Sequence, residues 1–232
     1  MIHVFWGSPQ RDVATIAESQ AVLMATVDSP EAARAALDAG ARILIAQGVE
    51  AGGHVLSETP LQALLASILE LAGDTPVVAA GGIVTPHDVE AMKDAGAAGV
   101  LCGTRFVACE ESLAHPGYKS ALIAAGADAT VRTQVFDIGW PNAPLRALSN
   151  STYQMWDEAG RPASGERPGE GDVILRVGEG VEIPRYAAMP PMRGMEGEIE
   201  AAVMYAGVGV ERVHDVKPAA EIVHELAAGY LS

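Results

Sequence analysis

Ser29-Pro30-Glu31-Ala32-Ala33-Arg34-Ala35-Ala36-Leu37-Asp38-Ala39-Gly40-Ala41-Arg42-Ile43-Leu44-Ile45 is echoed 56 residues later by Thr85-Pro86-His87-Asp88-Val89-Glu90-Ala91-Met92-Lys93-Asp94-Ala95-Gly96-Ala97-Ala98-Gly99-Val100-Leu101. In each copy a Ser or Thr stands at a helix N-cap, and Pro takes the first turn, where no backbone N–H is needed. Gly then closes the helix just before a short apolar strand. Ala33, Ala36 and Leu37 in the first copy, and Val89 and Met92 in the second, recur at helical spacing and are expected to pack on a sheet. Each copy is a helix–strand unit.

Working outward, apolar runs place further strands near 2–6, 21–27, 42–46, 76–80 and 98–102, with helices near 11–19, 30–39, 60–72 and 86–95. Strands that alternate with helices and read as continuous Val, Ile, Ala and Leu runs are expected to be parallel and covered on both faces. A doubly wound sheet and a barrel both satisfy this order. Two units per 56 residues give about 28 per unit, near the roughly 30 of an eight-unit barrel. Beyond 102, helices are expected at 110–125, 197–205 and 218–231, and the Gly/Pro-rich stretch 160–172 reads as an exposed loop.

Composition bounds the function. The chain has 232 residues, 49% of them hydrophobic, enough for a real core. Thirty acidic against 15 basic side chains repel phosphate backbones and anionic membrane surfaces, so nucleic acid is not an expected partner. No run reaches the roughly 18 to 20 apolar residues of a membrane span. Cys102 and Cys109 are the two cysteines, and they suggest neither a disulfide framework nor a metal set. A cytoplasmic setting and no metal are expected.

In parallel α/β folds, chemistry sits where strands end. Three such places stand out: Gln47-Gly48-Val49-Glu50-Ala51-Gly52-Gly53-His54, Gly81-Gly82-Ile83 and Gly103-Thr104-Arg105. Glycines there let an anion approach backbone N–H groups, and Thr104 adds a hydroxyl, so Gly81, Gly82, Gly103 and Thr104 can form a phosphate cup. A tight strand-to-helix turn accounts for Gly81-Gly82 equally well. His54, with an ordinary pKa near 6.5, can take a proton at neutrality; a loop histidine can also be a surface or capping residue. Glu50 is either its acid–base partner or a salt-bridge or loop-capping carboxylate. The chain has neither G-x-S-x-G nor a P-loop, which argues against hydrolase and nucleoside triphosphatase chemistry.

At Gln47-Gly48-Val49-Glu50-Ala51-Gly52-Gly53-His54, Pro76-Val77-Val78-Ala79-Ala80-Gly81-Gly82-Ile83 and Gly103-Thr104-Arg105-Phe106, and again at Ala114-His115-Pro116-Gly117-Tyr118-Lys119 and Met204-Tyr205-Ala206-Gly207, the chain resembles the nitronate monooxygenase family. The resemblance implies a (β/α)8 TIM-barrel-type fold with non-covalent FMN. It assigns Gly81, Gly82, Gly103 and Thr104 to the FMN phosphate, and Gln47, Gly52 and Gly53 to the flavin. His54 becomes the catalytic base or substrate-positioning residue. The implied reaction oxidises a small nitroalkane or nitronate with O2 to a carbonyl compound and nitrite. Enoyl-[acyl-carrier-protein] reductase, NAD(P)H:quinone reductase and a non-catalytic flavin- or phosphate-binding remnant are the alternatives.

Met1–Gly7 resembles the fourth strand of the family's barrel. The barrel is therefore expected to lack its first three βα units, with residues 1–126 equivalent to strands four to eight and 127–232 forming a C-terminal helical extension packed on it. Open sheet edges are then expected to be covered by the tail or by a second subunit in a homo-oligomer. Val208 stands where relatives often have Gln after the Gly, so no ligand role is carried to that position.

Overall fold

A computed structural model of the chain describes residues 1–7, 16, 18–178 and 180–231. The helix expected at 11–19 lies almost wholly outside them. By internal contacts the chain divides into two compact units, one of Met1–Ala51, Val55–Cys102 and Val223–Ser232, the other of Gly52–His54 and Gly103–Ile222.

The first unit is built on five parallel strands: β1 (Ile2–Val4), β2 (Leu23–Val27), β3 (Ile43–Gln47), β5 (Val77–Ala80) and β6 (Gly99–Leu101), hydrogen-bonded in that order. In register, Leu44 faces Val77 and Val78 faces Gly99. Helix α1 (Pro30–Asp38) packs on β2, α2 (Leu61–Ala72) on β3 and β5, and α3 (Pro86–Asp94) on β6. This is the α/β, TIM-barrel-type fold class that the sequence implies. Strand residues Leu44, Ile45, Ala46, Val77 and Ala79 and helix residues Leu64, Leu65 and Ile68 fill its core, all buried.

The sequence echo reappears atom by atom. Ser29 Oγ accepts from Ala32 N at the start of α1, and Thr85 forms a reciprocal capping box with Asp88 at the start of α3. At the other end Gly40 N donates to Leu37 O and Ala41 N to Ala36 O. The second copy repeats this pair, with Gly96 N to Lys93 O and Ala97 N to Met92 O. Both helices thus end in a Schellman motif whose left-handed residue is the echoed glycine, φ +86° and +97°.

The second unit carries two three-stranded sheets that periodicity did not reveal. Strand β8 (Leu145–Leu148) runs between β4 (Gly53–His54) and β7 (Thr130–Thr133), and β9 (Val173–Val177) between β10 (Val181–Pro184) and β11 (Met195–Gly197), all antiparallel. One core gathers Phe136, Leu145, Ala147, Tyr186 and Val203; another gathers Ile174, Leu175, Met195 and Ala201. The other helices are α4 (Thr104–Val107), α5 (Pro116–Ala124), α6 (Ser151–Glu158) and α7 (Ala219–Leu231), the last confirming the helix expected at 218–231.

Two expectations change here. The helix expected at 110–125 begins only at Pro116, because the carbonyls of Cys109, Glu110 and Ser112 turn inward to the buried Lys119 ammonium instead of continuing a helix. The stretch 197–205 is not an α-helix. One 3-10 turn (Ile199–Ala201) is followed by extended chain whose Met204 O accepts from Leu148 N and whose Ala206 N donates to Arg146 O. Pairing with β8 and burial of Ala201 to Met204 override the helical spacing there. The stretch 160–172 is the largely exposed loop expected, pinned by one buried side chain, Arg167, which bonds Asp137 and Glu170 and lies 4.3 Å over the Tyr186 ring. Among the described residues, no helix is long and apolar enough to cross a membrane.

Candidate functional site

In the first unit the ends of β3 and β5 converge. Gln47 is the last residue of β3 and stands in register with Ala80, and Gly48 N donates to Ala80 O at 2.9 Å. Gly81 and Gly82 follow β5 with φ of +131° and +69°, angles at which any Cβ is strained. A Cβ on Gly81 would also stand 3.2 Å from Ala51 N. The turn therefore brings the Gln47–Ala51 loop against the Gly81–Gly82 backbone.

Glu50 settles its own role. Both carboxylate oxygens accept from Leu61 N, at 3.1 and 2.9 Å, so it caps α2, which has Pro60 rather than a polar side chain at its N-cap. The capping reading holds, in a position where the helix dipole favours negative charge.

In the second unit, His54 is drawn into β4 by pairing with β8, where it faces Leu145. It is 8% exposed, which rules out the surface reading. The imidazole stacks on Trp140 with centroids 4.1 Å apart and planes at 28°, and Tyr205 stands tilted at 5.6 Å. Burial lowers its pKa below 6.5, so it is neutral at pH 7. Tyr205 donates to Ala188 O at 2.9 Å, and burial pushes its phenol up to about 12. Tyr118 in turn donates to Tyr205 O, fixing the backbone that carries this ring.

Gly207 joins two of the sequence's candidates. Its N–H donates to Thr104 Oγ1 at 2.9 Å, and Ala206 C lies 2.5 Å from where a Cβ on Gly52 would be. Gly52 is thus dictated by close backbone approach. Thr104 accepts this bond and keeps its own proton to donate. Gly103 and Gly53 have nothing within 4 Å of a built Cβ. Arg105 anchors the Gly103–Val107 turn: it is 5% exposed and bonds Asp215 through Nη2 to Oδ1 at 2.6 Å and through Nη1 to the backbone carbonyl at 3.1 Å.

Within the first unit the consecutive positive-φ glycines after β5, and within the second the open space at Gly103 beside the Thr104 hydroxyl, are each features that let an anion approach backbone N–H groups. The structure thus brings together Gln47 with Gly81–Gly82, and Gly52 with Thr104. Trp140 and Tyr205, which enclose His54, carry no periodic signal. The first is an isolated aromatic in the turn Gly139-Trp140-Pro141-Asn142; the second lies in a motif that the resemblance noted without giving it a role.

The family description Nitronate monooxygenase matches residues 1–229. The nitronate monooxygenase of Pseudomonas aeruginosa is 30% identical over 95% of the chain and 60% of its own length, and that of Paraburkholderia phytofirmans 27% identical over 97% and 59%. Among solved structures, FabK from Thermotoga maritima matches with TM-score 0.77 and 26% identity, over 99% of this chain and 67% of its own. A nitroalkane oxidase from Streptomyces ansochromogenes matches with TM-score 0.71 and 29% identity, over 99% and 64%. The chain spans 60% and 59% of the length of the two curated relatives. With its family description matched over nearly its whole length, the chain belongs to the nitronate monooxygenase family.

Proposed function

We propose that this chain binds FMN and oxidises small nitroalkanes or their nitronates with O2, giving a carbonyl compound and nitrite. The observation that carries the proposal is His54, a buried, neutral imidazole held between Trp140 and Tyr205 in a member of this family. Residues assigned to the FMN phosphate are Gly81, Gly82, Gly103 and Thr104; Gln47, Gly52 and Gly53 are assigned to the flavin. When bound, the flavin supplies the electron transfer between substrate and O2.

His54 supplies the proton chemistry. A neutral ring nitrogen accepts the acidic carbon-bound proton of a nitroalkane, and the C–H electron pair stays on the substrate as its nitronate. The lowered pKa supports this role over a charged grip on a preformed nitronate, which needs the imidazolium. Tyr205 stays protonated at pH 7 and serves as a wall. The aromatic pair keeps water from the imidazole faces and limits its rotation. Both cysteines are free, which suits a reducing, cytoplasmic compartment.

The test is the visible spectrum of the chain after FMN addition and desalting, followed by nitrite release from a nitroalkane and from its nitronate under air. Retained flavin bands and nitrite that falls at least 100-fold in His54→Gln, more for the nitroalkane than for the nitronate, are expected. Flavin retention without nitrite but with NAD(P)H oxidation would move the reading to an enoyl-[acyl-carrier-protein] or quinone reductase. Failure to retain flavin would overturn it for this chain.

A further inference from the structure

His54 touches two aromatic rings from distant parts of the sequence, and a short run of hydrogen bonds joins those rings to each other. The Tyr205 hydroxyl donates to Ala188 O at 2.9 Å. Ala188 N donates in turn to Ile138 O, also at 2.9 Å, and Ile138 N donates to Tyr186 O at 3.2 Å. The two segments thus pair through one parallel bridge, Ile138 with Ala187. Two residues beyond Ile138, Trp140 lays its indole on the imidazole. The path from Tyr205 through Ala188 and Ile138 to Trp140 therefore closes on His54, and every member of it lies in the second unit.

The parts of this path differ in how they are held. Tyr205 is fixed through its backbone: buried Tyr118 donates to its carbonyl, and Met204 O beside it accepts from Leu148 N. Tyr186 is wholly buried and donates to Pro168 O at 2.6 Å, which fixes the 186–188 segment. The Trp140 turn stands at the surface instead, with Gly139, Pro141 and Asn142 exposed and with φ of +95° at Gly139 and +57° at Asn142. Its leading leg hangs on the backbone bonds to 186 and 188 and on Trp140 N to Asp137 O. Where the indole rests therefore depends on where Ala188 stands. A wall beside an imidazole needs only a ring, which Phe would supply. A phenol hydroxyl in a packed site is kept where it has a partner, and here the partner is the peptide that carries the Trp140 turn.

We propose that the Tyr205 hydroxyl is a positioning group: through Ala188 it sets the Trp140 turn, and so the stacking of the indole on His54. Its effect on turnover rests on the reading of His54 as the proton acceptor. A base held in one orientation presents its ring nitrogen to the substrate carbon at each encounter, whereas a loosely held ring does so only part of the time.

The experiment compares Tyr205→Phe, Trp140→Ala and the double variant in the full chain, reading the His54 Cε1 proton by NMR at about pH 8, where the imidazole is neutral. Stacking on an indole moves this resonance upfield. Tyr205→Phe keeps the ring, and is expected to move the resonance downfield, part of the way to its position in Trp140→Ala. In the Trp140→Ala background, loss of the hydroxyl is expected to add nothing, the non-additivity that marks two groups acting through one path. An unchanged resonance in Tyr205→Phe, or shifts that simply add, would overturn the proposal. Should Tyr205→Phe fail to fold, Ala188→Pro removes the N–H donor to Ile138 O while leaving the acceptor of Tyr205, and is expected to give the same downfield shift; no shift there would equally overturn it. Nitrite release is the second readout: Tyr205→Phe is expected to lower kcat for the nitroalkane about tenfold with KM nearly unchanged, and to affect the nitronate less. A shifted resonance with unchanged kcat would overturn the role in turnover. A parent chain that forms no nitrite would remove the monooxygenase reading, while the NMR comparison still decides what places Trp140.

Discussion

The imidazole of His54 stacks on the indole of Trp140, ring centroids 4.1 Å apart, and this contact ties a two-residue strand to a turn far along the sequence. Stacking removes one face of the imidazole from water, and a protonated ring loses solvation that the indole only partly replaces. Replacing Trp140 with Ala is expected to raise the His54 pKa toward 6.5. The Cε1 proton of His54, assigned by its absence in His54→Gln, reports the titration by NMR. An unchanged midpoint would mean that the burial comes from other neighbours.

The same shift makes stability depend on pH. The folded pKa of His54 lies below the unfolded value of 6.5, so between them the unfolded chain binds more protons. The contribution is therefore full above pH 6.5 and is lost as pH falls through the folded pKa. Urea midpoints measured from pH 7.5 down to 5 are expected to decline below 6.5, and less steeply in His54→Gln. Parallel declines in the two proteins would assign the acid sensitivity to other groups.

Glu50 offers a different test, because it sits four residues before a catalytic candidate yet acts on a helix. Its carboxylate caps Leu61 N, so Glu50→Ala is expected to cost about 1 kcal/mol of stability, as loss of a side-chain helix cap does. Glu50→Gln keeps one acceptor oxygen and is expected to recover most of that. An acid–base role would instead show as a changed pH profile of nitrite release with little change in stability.

How far the sequence could be read follows from where each element finds its partners. The strands β2, β3, β5 and β6 and the helices α1 and α3 carry their signals locally, in Ser29, Pro30, Gly40 and their echoes, so their limits fall within a few residues of expectation. In the second unit the strands have two to five residues, and β7 and β8 each hold an arginine that breaks the apolar run. Their pairing is decided by contacts distant in sequence, such as Gly53 with Arg146 or Leu148 with Met204, which no window contains. For the same reason His54 was legible as a chemical type, whereas its enclosure by Trp140 and Tyr205 was not.

Gly52 and Gly53 look equivalent in the sequence, but the structure separates them. A Cβ on Gly52 would stand 2.5 Å from Ala206 C, backbone that cannot move without disturbing Gly207 and its bond to Thr104. Gly53 has open space around its Cα and φ +83°, so Gly53→Ala incurs only left-handed strain, about 1 to 2 kcal/mol. Gly52→Ala adds a steric clash against packed backbone, typically 1 to 3 kcal/mol and here against the rigid side of that range. Thermal melts of the two variants are expected to rank Gly52→Ala as the more destabilised. Flavin retention is expected to fall in both and further in Gly52→Ala, which also displaces the segment that holds Thr104. The reverse ranking would mean that the 206–207 backbone yields more easily than its bond to Thr104 implies.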